Sequence, residues 1–341
     1  MSRLLAPNDE PSMYTINPLP QPEAPPEPPV QAPPGQVMLA DGTFAELEGR
    51  ALDELQQLQY EQERKFAAAI MACPAGSHQR GLVVGQAYDT VCGILAAQQF
   101  AAGQTDAPLI MGFDQRYTQL VLRLLEKQIA GGMGRPHLFE IGYGSGALLK
   151  EVRAHGHTVG GIEVSSTMRD QAAAEIGERY AKDLLLGDFR EVQPDDVEKR
   201  PTVIFWNDVL EHLGPDEVQS FVDHAHKLLA PGGVLVTITP NWLLRPSDVT
   251  AVFHPPRTQA CGLHLKEYRL KEVARLLRRA GFRRIATPLF ATHGRLVTLA
   301  GGGRLVKQLL EPALDKLPVK YARLLCRGWA MSITLATKRR K

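Results

Sequence analysis

The sequence predicts an α/β fold: a parallel sheet built from βαβ units, preceded by a helical region and a proline-rich tail. Three observations carry this. After Arg135, short β-branched or apolar runs alternate with helical stretches, the pattern of strands joined by crossover helices. From Asp41 to about Gly134 the texture is helical instead, rich in Ala, Leu, Glu and Gln. Residues 18–34 (PLPQPEAPPEPPVQAPP) are about half proline and lack the donors and apolar side chains of a core. The expected organisation is a disordered tail over 1–40, a helical lid over 41–134 that meets the substrate, and a core over 135–341 with a helical insertion near 291–328.

Taken in order, TFAELEGRALDELQQLQYEQERKFAAAIMA reads as a helix closed by CPAGS, and RGLVVGQAYDTVCGILAAQQFAA as a second. A third follows from Asp114, a plausible N-cap, and stops at GGMG. In the core, HLFEIG, HTVGGIEV, DLLLGD, TVIFW and GVLVTIT read as strands; ALLKEVRAHG, STMRDQAAAEIGERYA and PDEVQSFVDHAHKLLA read as the helices between them. KEYRLKEVARLLRRAGF adds a helix, RRIATPLF a strand, 303–328 one or two helices, and WAMSITLAT a last strand.

No run reaches the 18 or so apolar residues of a transmembrane helix, and MSRLLAPNDEPSM lacks the apolar stretch of a secretory signal. Cys73, Cys92, Cys261 and Cys326 have no paired spacing, which argues against a disulfide scaffold or thiolate zinc site and for a reducing, cytoplasmic setting. The net charge of +2 hides an asymmetry: Arg257 to Lys341 holds 20 Lys and Arg against 4 Asp and Glu. Such a basic quarter points to an anionic substrate, a nucleic acid or a lipid surface, or to a solvated face opposite the acidic remainder.

HLFEIGYGSGALL places Glu140, Gly142, Gly144 and Gly146 at a strand-to-helix turn, where glycines let the backbone turn tightly and a cofactor approach. Glu163 ends the next strand, where a carboxylate can accept from both ribose hydroxyls. A dinucleotide and S-adenosylmethionine both fit this much. Three features favour the second: an acid, Glu140, two residues before the first glycine; Gly187, Asp188 and Phe189 after the third strand; and a PGG turn into the fifth.

In this order and spacing the motifs resemble the class I S-adenosylmethionine-dependent methyltransferases over about 135–300, with a return at 329–337 as that family's final antiparallel strand. The resemblance implies a seven-stranded Rossmann-like sheet with helices on both faces and a cofactor across the carboxyl ends of its first strands. It further implies that Glu140, Gly142, Gly144 and Gly146 line the methionine part, Glu163 holds the ribose, Asp188 and Phe189 contact the adenine, and Asn207 lies near the transferable methyl. Tyr143 departs from the small residue or Cys often found in that loop.

Residues 206–212 (WNDVLEH) place Asp208, Glu211 and His212 directly after a strand; on a helix these positions share one face. The stretch is similar to the acid-x-x-Glu-His turn of the ubiquinone-biosynthesis O-methyltransferases and of terminal 2′-O-methyltransferases of small RNAs. Both also carry a downstream histidine, a place that His264 occupies in GLHLKEY. The similarity implies a divalent metal, Mg or Mn first, on Asp208, Glu211, His212 and His264; such an O/N set also suits Fe or Zn. It would lower the pKa of an attacked hydroxyl. Two plainer readings stand beside it: acids charging a helix start, or His212, with Glu211, serving catalysis as a metal-free base.

In RLVKQLLEPALDKL, Leu305, Val306, Leu309, Leu310, Leu314 and Leu317 fall near one face, either packing on the core or lying in a membrane interface. The expected function is O-methylation of a small-molecule, glycan or lipid-linked acceptor, with peripheral membrane contact through the basic C-terminal part. The alternatives are an RNA 2′-O-methyltransferase, disfavoured by the lack of an RNA-binding module and the few aromatics, and a non-catalytic cofactor-binding partner.

Overall fold

The computed structural model describes residues 32–33, 35–104, 113–197, 199–298 and 303–340. Its centre is a seven-stranded sheet: β3 (His137–Ile141), β4 (Thr158–Glu163), β5 (Leu184–Leu186), β6 (Val203–Asn207), β7 (Val234–Ile238), β8 (Arg284–Ala286) and β11 (Ile333–Thr337). Their spatial order is β5-β4-β3-β6-β7-β11-β8. The first five are parallel, and β11 runs antiparallel between β7 and β8.

Strand alternation builds the two faces. Phe139, Ile141, Ile204, Trp206 and Leu235 point to one side, where they pack on α6 (Val218–Leu228) and α8 (Leu270–Arg279). Leu138, Val203, Phe205, Val236 and Ile238 point to the other, against α3 (Gln115–Ala130), α4 (Ala147–Ala154) and α5 (Ser166–Ile176). Because both faces are covered, the strands read as nearly continuous apolar runs. The expected α/β sheet with helices on both faces is what the chain forms.

The N-terminal region holds α1 (Leu52–Ala72) and α2 (His78–Ala101), and Asp114 caps α3 by accepting from Arg116 N at 2.8 Å. Here one expectation is corrected. Residues 36–46 form a hairpin, β1 (Gln36–Met38) with β2 (Phe44–Glu46), so the chain is neither tail to residue 40 nor helical from Asp41. The reason is Asp41–Gly42, a turn pair with Gly42 at φ +81°, and Gly49 at φ +77°, which ends any helix begun before it. The hairpin packs Val37, Ala45 and Leu47 on Leu55 and Ile94, and approaches α2 so closely that a Cβ at Gly93 would meet Val37 Cγ1 at 2.5 Å. The proline-rich reading lies, up to residue 31, outside the described residues.

Past the sheet, α7 (Thr250–Phe253) sits in the segment between β7 and α8, and a short hairpin, β9 (Phe290–Ala291) with β10 (Leu296–Val297), precedes α9 (Arg304–Leu314) and α10 (Val319–Gly328). All four cysteines are free. No described helix is long and apolar enough to cross a membrane.

Candidate active site

The carboxyl ends of β3, β4, β5 and β6 open into a cavity of about 420 Å³, roofed by α1, α2 and α3. That is a size suited to a small ligand. Its basic lining residues are Arg80 and Arg190, both paired: Arg80 with Asp216 at 2.8 Å and Glu217 at 3.3 Å, Arg190 with Asp188 and with Glu217 at 3.1 Å. Against them stand Glu63, Asp114, Glu140, Glu163, Asp188, Asp208, Glu217 and Asp248. A cavity so balanced favours a cationic ligand.

At one end, the turn after β3 supplies backbone. Gly144, at φ +51°, has nothing within 4 Å of where a Cβ would sit, whereas a Cβ on Gly142 would meet Val209 Cγ2 at 2.8 Å. Glu163 holds the turn: its Oε2 accepts from Gly144 N at 2.8 Å, and its Oε1 from Val164 N at 2.8 Å and Ser165 N at 3.2 Å. Burial raises its pKa, and the three backbone donors oppose that rise. Glu140 is buried with no partner for Oε2, and burial next to Glu163 pushes it well above the usual carboxylate range. A buried acceptor with no donor beside a bare glycine turn fits a ligand that brings an ammonium group; the aminoacyl end of S-adenosylmethionine is such a group.

The other predicted cofactor contacts are mixed. Phe189 is a core side chain stacked on Phe221, with ring centroids 6.5 Å apart, and it still borders the cavity. Asp188 accepts from Arg190 N at 2.8 Å and pairs with its guanidinium, so its carboxylate already has strong partners. Asn207 borders the cavity and donates through Nδ2 to Asp208 Oδ2 at 3.1 Å. Tyr143 borders the cavity, but its hydroxyl donates to Leu185 O at 3.0 Å, and a Cβ on Gly161 would strike Glu140 O at 2.5 Å and the Tyr143 ring at 2.8 Å. The unusual residue therefore braces β5, and its ring together with the Glu140 carbonyl leaves no room for a side chain at Gly161.

At the far end His212 and His264 line the cavity, and with Glu211, buried outside the lining, they bring one ligand atom each to within 4.8 Å of one another. The turn that carries Glu211 and His212 is not an α-helix. Asp208 adopts φ +52°, rare for a residue with a side chain, and Leu210–His212 is a single 3₁₀ turn. The expected i, i+3, i+4 face is thus corrected: Asp208 lies outside the converging three and borders the cavity instead, its pKa raised by burial.

Each of the three is fixed by its neighbours. Glu211 is fully buried; Oε2 accepts from Thr239 Oγ1 at 2.8 Å, and Oε1 has no donor. Burial, then the charge of Asp208, raise it to about 8. His212 Nδ1 lies 3.0 Å from Leu263 O, and a carbonyl can only accept, so Nδ1 carries the proton and Nε2 keeps its lone pair. Burial and the neighbouring His264 hold its pKa well below 6.5. His264 stands edge-on to His212 at 4.7 Å, with Nε2 4.0 Å from Glu211 Oε1 and Nδ1 3.2 Å from Ser247 Oγ. Burial would lower it, but Glu267, Glu211 and Asp248 outweigh burial and raise it to about 9. A buried carboxylate with a spare lone pair beside two imidazoles is a donor set that a divalent cation fits.

Other positioning groups come from distant segments. Glu63 of α1 accepts from Leu263 N at 3.0 Å, and Asp248 accepts from Gly262 N at 3.0 Å; together they hold the loop whose carbonyl orients His212. Glu267 accepts from Ser247 N at 2.8 Å, and Tyr88 of α2 meets His212 edge-on at 5.5 Å. Asp89 ties α2 to the start of α5 by accepting from Ser165 Oγ at 2.6 Å and Ser166 Oγ at 3.0 Å. Only Glu267, inside GLHLKEY, carried a local signal. His254, unassigned by sequence, pairs with Tyr60 Oη at 2.7 Å.

Among solved structures, the chain is similar to a SAM-dependent methyltransferase from Archaeoglobus fulgidus (16% identity, 65% of this chain and 94% of that one, TM-score 0.40). It is similar to magnesium protoporphyrin IX methyltransferase from Synechocystis with bound SAH (16%, 62% and 93%, TM-score 0.42). A third is an O-methyltransferase family protein from Burkholderia thailandensis (15%, 85% and 71%, TM-score 0.42). No curated protein matches the chain. A family model described as a methyltransferase domain matches residues 112–287, just over half of the 341. The chain belongs to this methyltransferase-domain family, and it is a SAM-dependent methyltransferase.

Proposed function

We infer that the enzyme methylates a hydroxyl oxygen on a small-molecule, glycan or lipid-linked acceptor, assisted by a divalent cation on Glu211, His212 and His264. The observation that carries this is Glu211 Oε1, buried without a donor and facing His264 Nε2, with the lone pair of His212 Nε2 in the same group. Leaving a buried carboxylate oxygen unmet is costly; a proton held by Glu211 against Asp208 would satisfy that oxygen alone, whereas a cation would satisfy it and both imidazoles at once. The absence of any unpaired Lys or Arg among the described lining residues favours a neutral or cationic acceptor over a phosphate-rich one.

S-Adenosylmethionine supplies an electrophilic methyl carbon and leaves as S-adenosylhomocysteine. Glu140 would meet its ammonium, the glycine turn its carboxylate end, and Glu163 its ribose. A cation on the three far-end ligands would lower the pKa of the acceptor hydroxyl. Asp208, on the cavity wall with its pKa raised, would take the proton of an acceptor hydroxyl, and bound S-adenosylmethionine would supply the methyl that the oxygen takes up. Asn207 and Tyr117 also line the cavity.

A second reading needs no metal: His212 Nε2 is the base, and His264, raised to about 9, remains protonated beside Glu211. The experiment that separates the two is transfer of labelled methyl into host extract, fractionated into lipid, RNA and small soluble pools. Run with EDTA and then with added Mg or Mn, a label lost and restored supports the cation. A label indifferent to EDTA leaves His212 as the base, and label in the RNA pool would sink the small-acceptor reading.

A further inference from the structure

Of the 18 large apolar side chains exposed among the described residues, seven fall within α9, α10 and the turn between them. Leu309 is 80% exposed and Leu324 64%; Leu305, Val306 and Tyr321 are more than half exposed. Both helices bury their opposite sides in one cluster, Leu243, Leu314, Cys326 and Met331. At about 100° per residue, Leu305, Val306, Leu309 and Leu310 share one arc of α9, and the buried Lys307, Glu311 and Leu314 occupy the opposite one. The apolar stripe legible in the sequence is therefore split: Leu314 packs inward, and the rest faces out.

Charge completes the description. The two acids of this pair of helices turn inward: Glu311 accepts from Asn241 Nδ2 at 2.7 Å and Leu270 N at 3.1 Å, and Asp315 pairs with Arg245 at 3.0 Å and Arg269 at 2.9 Å. The exposed charges left are Lys316, Lys320 and Arg327. On α10, Lys320 and Arg327 lie one turn either side of Leu324, on the same exposed face.

We propose that the α9–α10 face docks on an anionic lipid surface, its leucines entering the acyl boundary and Lys316, Lys320 and Arg327 meeting lipid headgroups. An apolar stripe with cations along it, whose long stems reach outward past the apolar contact, is the composition that such an interface selects. A second copy of the chain is the poorer occupant, because a two-fold contact sets the patch against itself and brings three cations against three, with both acids turned inward.

The test is co-sedimentation of the full chain with phosphatidylcholine vesicles, with and without phosphatidylglycerol. The bound fraction should rise about tenfold with the anionic lipid and fall with added salt. Leu309→Asp with Leu324→Asp should abolish binding, and Lys316→Glu with Lys320→Glu should erase the lipid preference. Both double variants alter exposed side chains, so their melting midpoints and S-adenosylhomocysteine affinity should match the parent. Failure to pellet with either vesicle overturns the proposal. So does a dimer in light scattering that Leu309→Asp with Leu324→Asp splits into monomers, which would make the face a contact between copies.

Discussion

The two ends of the cavity are built in different ways. The cofactor end is made by short stretches of chain: one strand-to-helix turn supplies Glu140, Gly142 and Gly144, and the end of the adjacent strand supplies Glu163, which bonds back to Gly144 N. The acceptor end is assembled from four distant segments, with Glu63 from α1, Tyr88 from α2, Glu211 and His212 after β6, and Asp248 and His264 before α8. On the proposed reading, binding the donor is thus a property of the sheet. On the same reading, activating the acceptor depends on α1, α2 and a long loop meeting the sheet correctly.

If that division is right, each end can be broken without the other. The largest effect is expected at Glu211→Gln, which keeps the volume but removes the ionisable oxygen that a cation would bind; turnover should fall on the order of a hundredfold or more. Titration calorimetry with S-adenosylhomocysteine should show that variant binding normally, and a parallel loss of affinity would mean the two ends are one. Glu163→Ala leaves three backbone donors unmet and should weaken S-adenosylhomocysteine by about a hundredfold, some 3 kcal/mol. Unchanged affinity there would remove Glu163 from the cofactor site.

Smaller effects sharpen the contrast. Glu63→Ala frees Leu263 N, and with it the carbonyl that orients His212, so kcat should drop roughly tenfold with little change in the KM for S-adenosylmethionine. A shift confined to that KM would place α1 over the cofactor instead. Tyr143→Phe deletes one hydrogen bond to Leu185 O and should cost about 1 kcal/mol, a drop of ~2–4 °C in melting midpoint, at constant activity.

The same contrast explains how much could be read from the sequence. Every strand of the seven-stranded sheet was legible, because buried apolar runs and alternating helices are local patterns. So were Glu140, the glycines and Glu163 as one constellation. The hairpin over 36–46 was missed because Ala, Leu and Glu nearby suggested helix, and the Asp41–Gly42 turn outweighed them. In WNDVLEH the residues were legible but their geometry was not: the positive φ at Asp208 takes it out of the group that helical spacing would give it. Glu63 and Asp248 left no local trace, since their roles exist only once α1 and the loop before α8 are packed together. Likewise the C-terminal stripe was visible as a period, but its outward direction depends on where Glu311 and Asp315 find partners.

The most direct measurement follows His212→Ala through two readouts at once: S-adenosylhomocysteine binding by calorimetry, and labelled methyl transfer into extract. Two separable ends predict parental affinity with transfer reduced about 10²–10⁴-fold, whether His212 serves as ligand or as base. Transfer at the parental rate, or loss of cofactor binding together with transfer, would contradict that account.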